Sequence, residues 1–352
     1  VRHHRVTRIA LQFETSLEAA IRNRKPLFHL HHLSREVLLV MWATGMALLL
    51  ASLAVGLWQF VRPDRPLRKL HLRVSTWWMI TITFGLSLAL SPTAAIVFLG
   101  FVSFLALKEF LSMTPTRRAD RRVLFWAYLA IPIQFYWVGT QWYGMFIIFI
   151  PVMLFAWLPT RMILAGETVG YLRAAGTLHW GLMVTVFSLS HAAFLLVLQP
   201  SQTPRVVPDY PSLDGTLHPG PGLLLLLVLM TQLNDLFQVG WGKAFGRRRF
   251  APRVSRAKTI SGFLGGLLTT ILVTVAIGPM LTLLDWQRSL IAGGLVGVAG
   301  FAGDLNMAAL KRDLGIRDFG ATLPGHGGVL DRVDSLTFTA PLFFHFIYYC
   351  YG

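Results

Sequence analysis

The chain is 352 residues long, 54% hydrophobic and only 14% charged, and it carries a formal net charge of +16. Such apolarity excludes an ordinary soluble globular protein and a disordered chain, and it matches proteins whose helices face lipid. A single cysteine, Cys350, excludes an internal disulfide and a cysteine-built metal site, and reads as a small apolar residue of the last helix.

Residues 1–36 come first, a basic segment with seven lysines or arginines. Its histidines (His3, His4, His29, His31 and His32) have no ligand spacing on a credible helix and read as surface residues. Ten apolar runs follow, at 37–61, 74–90, 94–113, 123–139, 142–158, 177–198, 222–240, 262–284, 289–303 and 336–351. A helix needs about 17 to 25 residues to cross a hydrocarbon core of roughly 30 Å, and the last two runs are short by that measure. The expected architecture is an all-α polytopic integral membrane protein with about ten transmembrane helices, eight at the least. It comprises N-terminal transmembrane helices over 37–221 and a C-terminal transmembrane region over 222–352.

The positive charge gathers between runs, in RPDRPLRKLHLR (62–73), TRRADRR (116–122) and GKAFGRRRFAPRVSRAK (242–258). This is the distribution of cytoplasmic loops flanking membrane helices, so basicity reports topology and not nucleic-acid binding. The same count puts the 304–335 stretch on the cytoplasmic face and the 199–221 loop outside. It puts residues 1–36 outside as well, against their charge. Two arrangements stay open: an amphipathic segment on the inner surface with a re-entrant first span, or a segment not native to the mature protein. The chain opens on Val1, and the run from Val37 is too long for a signal-peptide core and lacks a small-residue cleavage site.

No phosphate-binding P-loop, dinucleotide fingerprint or nucleophile elbow is present. The glycine-rich SGFLGG (261–266) and AGGLVGVAGFAG (292–303) read as small-residue faces that let helices approach closely. Asp235, near the end of an apolar run, is a candidate functional carboxylate because burial at membrane depth is expensive unless paired; the alternative is a residue snorkelling to the interface.

Five of the sixteen acidic residues fall between Asp304 and Asp334, interleaved with Lys311, Arg312, Arg317 and Arg332. Anchoring by positive charge does not explain the aspartates. Asp331 and Asp334, at i and i+3 after Gly327 and Gly328, would share one face at the start of the last helix and favour a shared cation. Asp304 would cap the preceding span. Hard oxygen ligands with open positions suit Mg²⁺ shared with substrate phosphates, and the basic residues would meet the remaining phosphate charge. His326 sits where backbone amides at a helix N-terminus approach an anion.

The run LKRDLGIRDFGATLPGHGGVLDRVDS (310–335) closely resembles the signature of phosphatidate cytidylyltransferases, also called CDP-diacylglycerol synthases. Gly303-Asp304-Leu305 fits the same pattern. So does an upstream block: Asn234-Asp235, Gly240, Gly242-Lys243, Gly246, Pro252, Ser255, Lys258-Thr259 and Gly262 to Gly266. The resemblance covers roughly 231–352. It implies a membrane enzyme, of a bacterial inner membrane with cytoplasmic catalytic loops, that joins CTP and phosphatidic acid into CDP-diacylglycerol and pyrophosphate. It further implies Asp304, Asp331 and Asp334 as metal ligands, and these with Lys311 as the catalytic set. Lys311, Arg312 and Arg317 would hold phosphates. His326, Gly327 and Gly328 would line the nucleotide pocket, and Asn234, Asp235, Ser255, Lys258 and Thr259 would join the substrate site from the other block. The expected cofactor is Mg²⁺, with a monovalent cation such as K⁺ as candidate second ion; the expected partners are CTP, phosphatidic acid and membrane lipids, with a homodimer left open.

The chain departs from the family pattern at Ala308 (usually Ser), Arg317 (Lys), Arg256-Ala257 (Pro-Lys) and Ser261 (Glu). This suggests a divergent branch whose acceptor lipid differs, with Asn306 a candidate substitute for the lost hydroxyl. Two other readings compete: a CTP-dependent kinase of a long-chain alcohol, which would release CDP, and a transporter or non-catalytic membrane partner.

Overall fold

A computed structural model describes residues 33–61, 68–114, 121–164, 166, 168–199, 219–255 and 257–351. The basic segment expected over 1–36 lies outside the described residues except for its last four, as do most of the 199–221 loop and parts of the basic loops at 62–73 and 116–122. Every apolar run coincides with a helix. In order these are α1 (Arg35–Val61), α2 (Arg68–Leu90), α3 (Pro92–Met113), α4 (Arg121–Gly139), α5 (Tyr143–Ile163), α6 (Tyr171–Val197), α7 (Gly220–Phe245), α8 (Ile260–Leu281) and α9 (Trp286–Asp313). The short α10 (Leu330–Val333) and then α11 (Leu336–Tyr351) complete the chain. The described residues contain no extended strand, only two isolated bridges.

Seven helices are long and apolar enough to cross a membrane by length and composition; α2, α4 and the 16-residue α11 are not among them. Many large apolar side chains on these helices point outward, Trp42, Leu57, Phe101, Leu172 and Leu268 among them. In water such faces would drive aggregation; in lipid they are the ordinary surface. The protein is a polytopic helical membrane protein.

Local chemistry sets the helix ends. Ser91 caps α3, accepting from Ala94 N at 3.0 Å with Pro92 in the first turn. Thr259 caps α8, accepting from Gly262 N at 3.1 Å, and Asp285 caps α9, accepting from Arg288 N at 2.7 Å. The C-terminal helices pack as α7 on α8, α8 on α9 and α9 on α11. Glycine makes the first two contacts close: a Cβ on Gly266 would lie 2.5 Å from Gln238 Cγ, and one on Gly293 would lie 2.8 Å from Ile271 Cα. α11 joins these helices to the N-terminal ones, stacking Tyr348 on Tyr143 with ring centroids 4.3 Å apart and setting Phe344 against Phe146 and Phe194.

Two local expectations are corrected. The residues after Gly303 do not leave the helix: α9 runs on to Asp313, because Met307-Ala308-Ala309-Leu310 are strong helix formers with no breaker among them. The last span is not one helix from Asp331. Leu330–Val333 forms a separate turn before α11, and this changes where the two aspartates point.

Candidate active site

Six helices converge on the site: the first turns of α2, α8 and α10, the last turns of α3, and the C-terminal halves of α7 and α9. Asp235 lies ten residues before the end of α7, Asp304 nine residues before the end of α9, and Asp334 follows α10 directly. Each offers a carboxylate oxygen, and these three oxygens lie within 4.8 Å of one another. Ser335 ties the set together. Its Oγ donates to Asp235 at 3.0 and 3.1 Å, and its backbone N–H donates to Asp334 Oδ1 at 2.9 Å.

Lys258 reaches in from the loop before α8. Its Nζ pairs with Asp304, donates to Gln238 Oε1 at 3.1 Å and lies over the Phe301 ring at 5.8 Å. The upstream block and the acidic block, separated by α8 and most of α9, therefore build one site. Among the described residues no lysine or arginine nitrogen lies within ion-pair distance of Asp235 or Asp334. Burial, reinforced by the charge of Asp304, pushes the Asp334 carboxyl up to about 7, against the opposing pull of Lys311. Crowded carboxylates without enough positive charge are suited to a hard divalent cation. Nearby, Asn234 Nδ2, Gln238 Nε2 and Ser261 Oγ are buried without a partner among the described residues, leaving polar capacity for a ligand.

Asp331 is placed differently from its neighbours. It is buried, its Oδ1 pairs with Lys311 Nζ at 2.6 Å, and its Oδ2 accepts from Gly328 N at 2.8 Å and Phe319 N at 3.0 Å. The structure thus divides the pair expected on one face: Asp334 joins Asp304, while Asp331 folds back on its own loop, and Asp235 takes the third place in the cluster. The physical reason lies in the turn before it. Gly327 has φ +81°, and any Cβ there would sit 2.9 Å from Asp331 Oδ2, so only glycine lets the loop close on that carboxylate. The helix-start amides expected to meet an anion are consequently bound by the chain's own acids.

The remaining candidates sit around this centre. Asn234 is buried and accepts from Thr270 Oγ1 at 3.1 Å. Thr259 is spent on capping α8. Ser255 is half-buried in the loop before α8, next to Val254, whose carbonyl accepts from Arg312 Nε at 3.4 Å; Arg312 and Arg317 are otherwise exposed. Asn306, exposed, donates to its own helix at Ala302 O, 2.8 Å, and is not turned toward the acids. His326 packs edge-on against Trp77 of α2 with centroids 6.0 Å apart, while Thr76 Oγ1 donates to Pro324 O at 2.6 Å. Burial, then Arg332 and Arg73, holds the His326 imidazole below its ordinary range. Sequence reasoning missed the part played by α2, and it missed Glu109 of α3, which accepts from Val329 N at 2.9 Å and Leu330 N at 2.8 Å. A lone acid inside the 94–113 apolar run was the available signal.

Comparison with known proteins gives a consistent result. The family model described as "Cytidylyltransferase family" matches residues 71–350. The chain is 40% identical over 311 residues to an uncharacterized protein YnbB of Escherichia coli (strain K12), covering 88% of this chain and 97% of that protein. It is 28% identical over 259 residues to a phosphatidate cytidylyltransferase of Staphylococcus haemolyticus, covering 72% of this chain and 90% of the relative. A phosphatidate cytidylyltransferase of Thermotoga maritima is 36% identical over 129 residues, covering 35% of this chain and 48% of the relative.

Proposed function

Because the chain belongs to the cytidylyltransferase family, and is thus a nucleotidyltransferase, we propose that it joins CTP to phosphatidic acid or a related lipid phosphate, giving CDP-diacylglycerol and pyrophosphate. A phosphate oxygen of the lipid attacks the α-phosphorus of CTP; the new P–O–P bond forms as the bond to the β-phosphate oxygen breaks, and pyrophosphate leaves. Such a displacement needs in-line positioning and neutralised charge more than covalent help from the protein.

The observation that carries this reading is the meeting of two sequence blocks at one cluster of acids through Lys258 and Asp304. Asp235, Asp304 and Asp334 are the residues that would hold Mg²⁺, which supplies a positive centre for the phosphate oxygens when bound. Lys258 would leave Asp304 for the nucleotide phosphates once a cation neutralises that carboxylate. Lys311, held by Asp331 and lying over the Phe319 ring at 5.3 Å, presents its charge at the edge of the same cluster. Arg312 and Arg317, exposed beside it, are placed to meet outlying phosphate charge.

The basic residues flanking this end of the bundle favour a site at the cytoplasmic face of a bacterial inner membrane, where CTP is available, in a bundle of about ten spanning helices. The test is an assay of purified protein in detergent with labelled CTP, phosphatidic acid and Mg²⁺. CDP-lipid and pyrophosphate are the expected products. CDP with a phosphorylated long-chain alcohol would establish the kinase reading instead, and absence of any CDP-lipid across a range of lipid acceptors would overturn the assignment.

A further inference from the structure

Glu109 lies near the end of α3, buried, and reaches α10 across 220 residues of sequence. Each of its carboxylate oxygens takes one backbone N–H, Oε1 from Val329 and Oε2 from Leu330. The socket is tight: a Cβ on Gly320 would lie 2.9 Å from Oε1, and one on Gly328 would lie 2.4 Å from Oε2. The preceding amide, Gly328 N, is held by Asp331. Three successive amides, 328 to 330, are thus fixed by two carboxylates, and Asp334 stands only one turn further on.

We infer that Glu109 is a positioning residue for the reaction: from α3 it fixes the start of α10, and through that turn it sets Asp334 in the acid cluster and Asp331 against Lys311. No other carboxylate of the N-terminal helices bonds the signature loop among the described residues. A neutral isostere cannot replace it. In Glu109→Gln one oxygen still accepts, but the amide NH₂ would face a backbone N–H, donor against donor.

The inference rests on the cytidylyltransferase reading for its kinetic arm, so binding is measured beside activity. Glu109→Gln, Glu109→Asp and Gly320→Ala are purified in detergent, Mn²⁺ binding is followed by its electron paramagnetic resonance signal, and amide hydrogen exchange is mapped over 319–335. For Glu109→Gln we expect Mn²⁺ affinity and kcat to fall roughly 10- to 100-fold, the range for residues that orient ligands from behind. We expect faster exchange confined to 328–335, and partial rescue by Glu109→Asp, which keeps both acceptors. Gly320→Ala, which displaces the carboxylate from the loop side, should give the same signature and serves if the Gln variant does not accumulate. Unchanged Mn²⁺ affinity in Glu109→Gln or Gly320→Ala, or faster exchange spread evenly over all helices, would overturn the inference. If the unaltered protein binds Mn²⁺ yet makes no CDP-lipid, the proposed function fails while the positioning role is still decided by binding and exchange.

Discussion

Asp331 and Glu109 on one side, and Asp235 and Asp334 on the other, are acids at the same end of the same bundle with opposite surroundings. The first two are saturated: four backbone N–H groups and one lysine occupy their oxygens. The other two face one another and Asp304 with a single serine between them. A carboxylate whose lone pairs are filled by the chain shapes the loop, whereas one left crowded with like charge is suited to a cation. Sequence spacing alone does not distinguish the two, since Asp331 and Asp334 are only three residues apart.

Substitution should separate the groups most sharply. Asp304→Asn and Asp334→Asn should lower turnover by about 10³-fold or more, because charge developing on phosphate loses a neutralised partner, while for Asp334→Asn, which breaks no ion pair, thermal unfolding in detergent stays at or above the unaltered midpoint as repulsion is relieved. Asp331→Asn should instead destabilise, by about 3 kcal/mol, since breaking a buried pair strands Lys311. Equal midpoints for Asp331→Asn and Asp334→Asn would erase the distinction.

Lys258→Met is the next largest effect. Its Nζ is a resident cation on Asp304, so the variant should bind Mn²⁺ more tightly without nucleotide, by roughly tenfold, while losing most use of CTP, whose phosphates need charge-assisted contacts. Weaker Mn²⁺ binding would show that the lysine supports the cluster and does not compete for it.

The pH dependence sharpens the same contrast. In the cation-free protein the Asp334 carboxyl is raised from 3.8 to about 7, so the folded state binds more protons than the unfolded one between those values. Its contribution to stability is therefore full below 3.8 and is lost as pH rises to about 7. Divalent-cation affinity should run the other way, climbing through that window as the proton no longer has to be displaced. Calorimetric titration at several pH values, with Asp334→Asn as control, checks this. The smallest effect is expected for Ala308→Ser, half-buried on α9: activity unchanged or modestly raised, and stability within about 0.5 kcal/mol. A severe loss would mean the site is built around the small apolar side chain.

Much of the candidate site was legible because acids are conspicuous in an apolar chain, and the signature from Leu310 to Ser335 is long. The helices were legible from the apolar runs. What stayed hidden was pairing. Nothing local to Glu109 announces that its partners are the amides of Val329 and Leu330, and nothing local to Thr76 announces Pro324; both contacts exist only after distant helices pack. The extension of α9 through Asp304 to Asp313 was hidden for another reason, since charge was read as loop where helix propensity prevailed.

The bond from Glu109 to α10 also bears on how the protein is made. A ribosome adding about 5 to 20 residues per second delivers Val329 roughly 10 to 40 seconds after Glu109. During that interval the Glu109 carboxylate, near the end of α3, lacks the two backbone N–H groups that hold it in the finished structure. A chain cut short before residue 329 keeps nearly all its greasy surface and still leaves that debt uncancelled. The seating of Glu109 on the third helix is thus completed only once residues 329 and 330 have been made and packed.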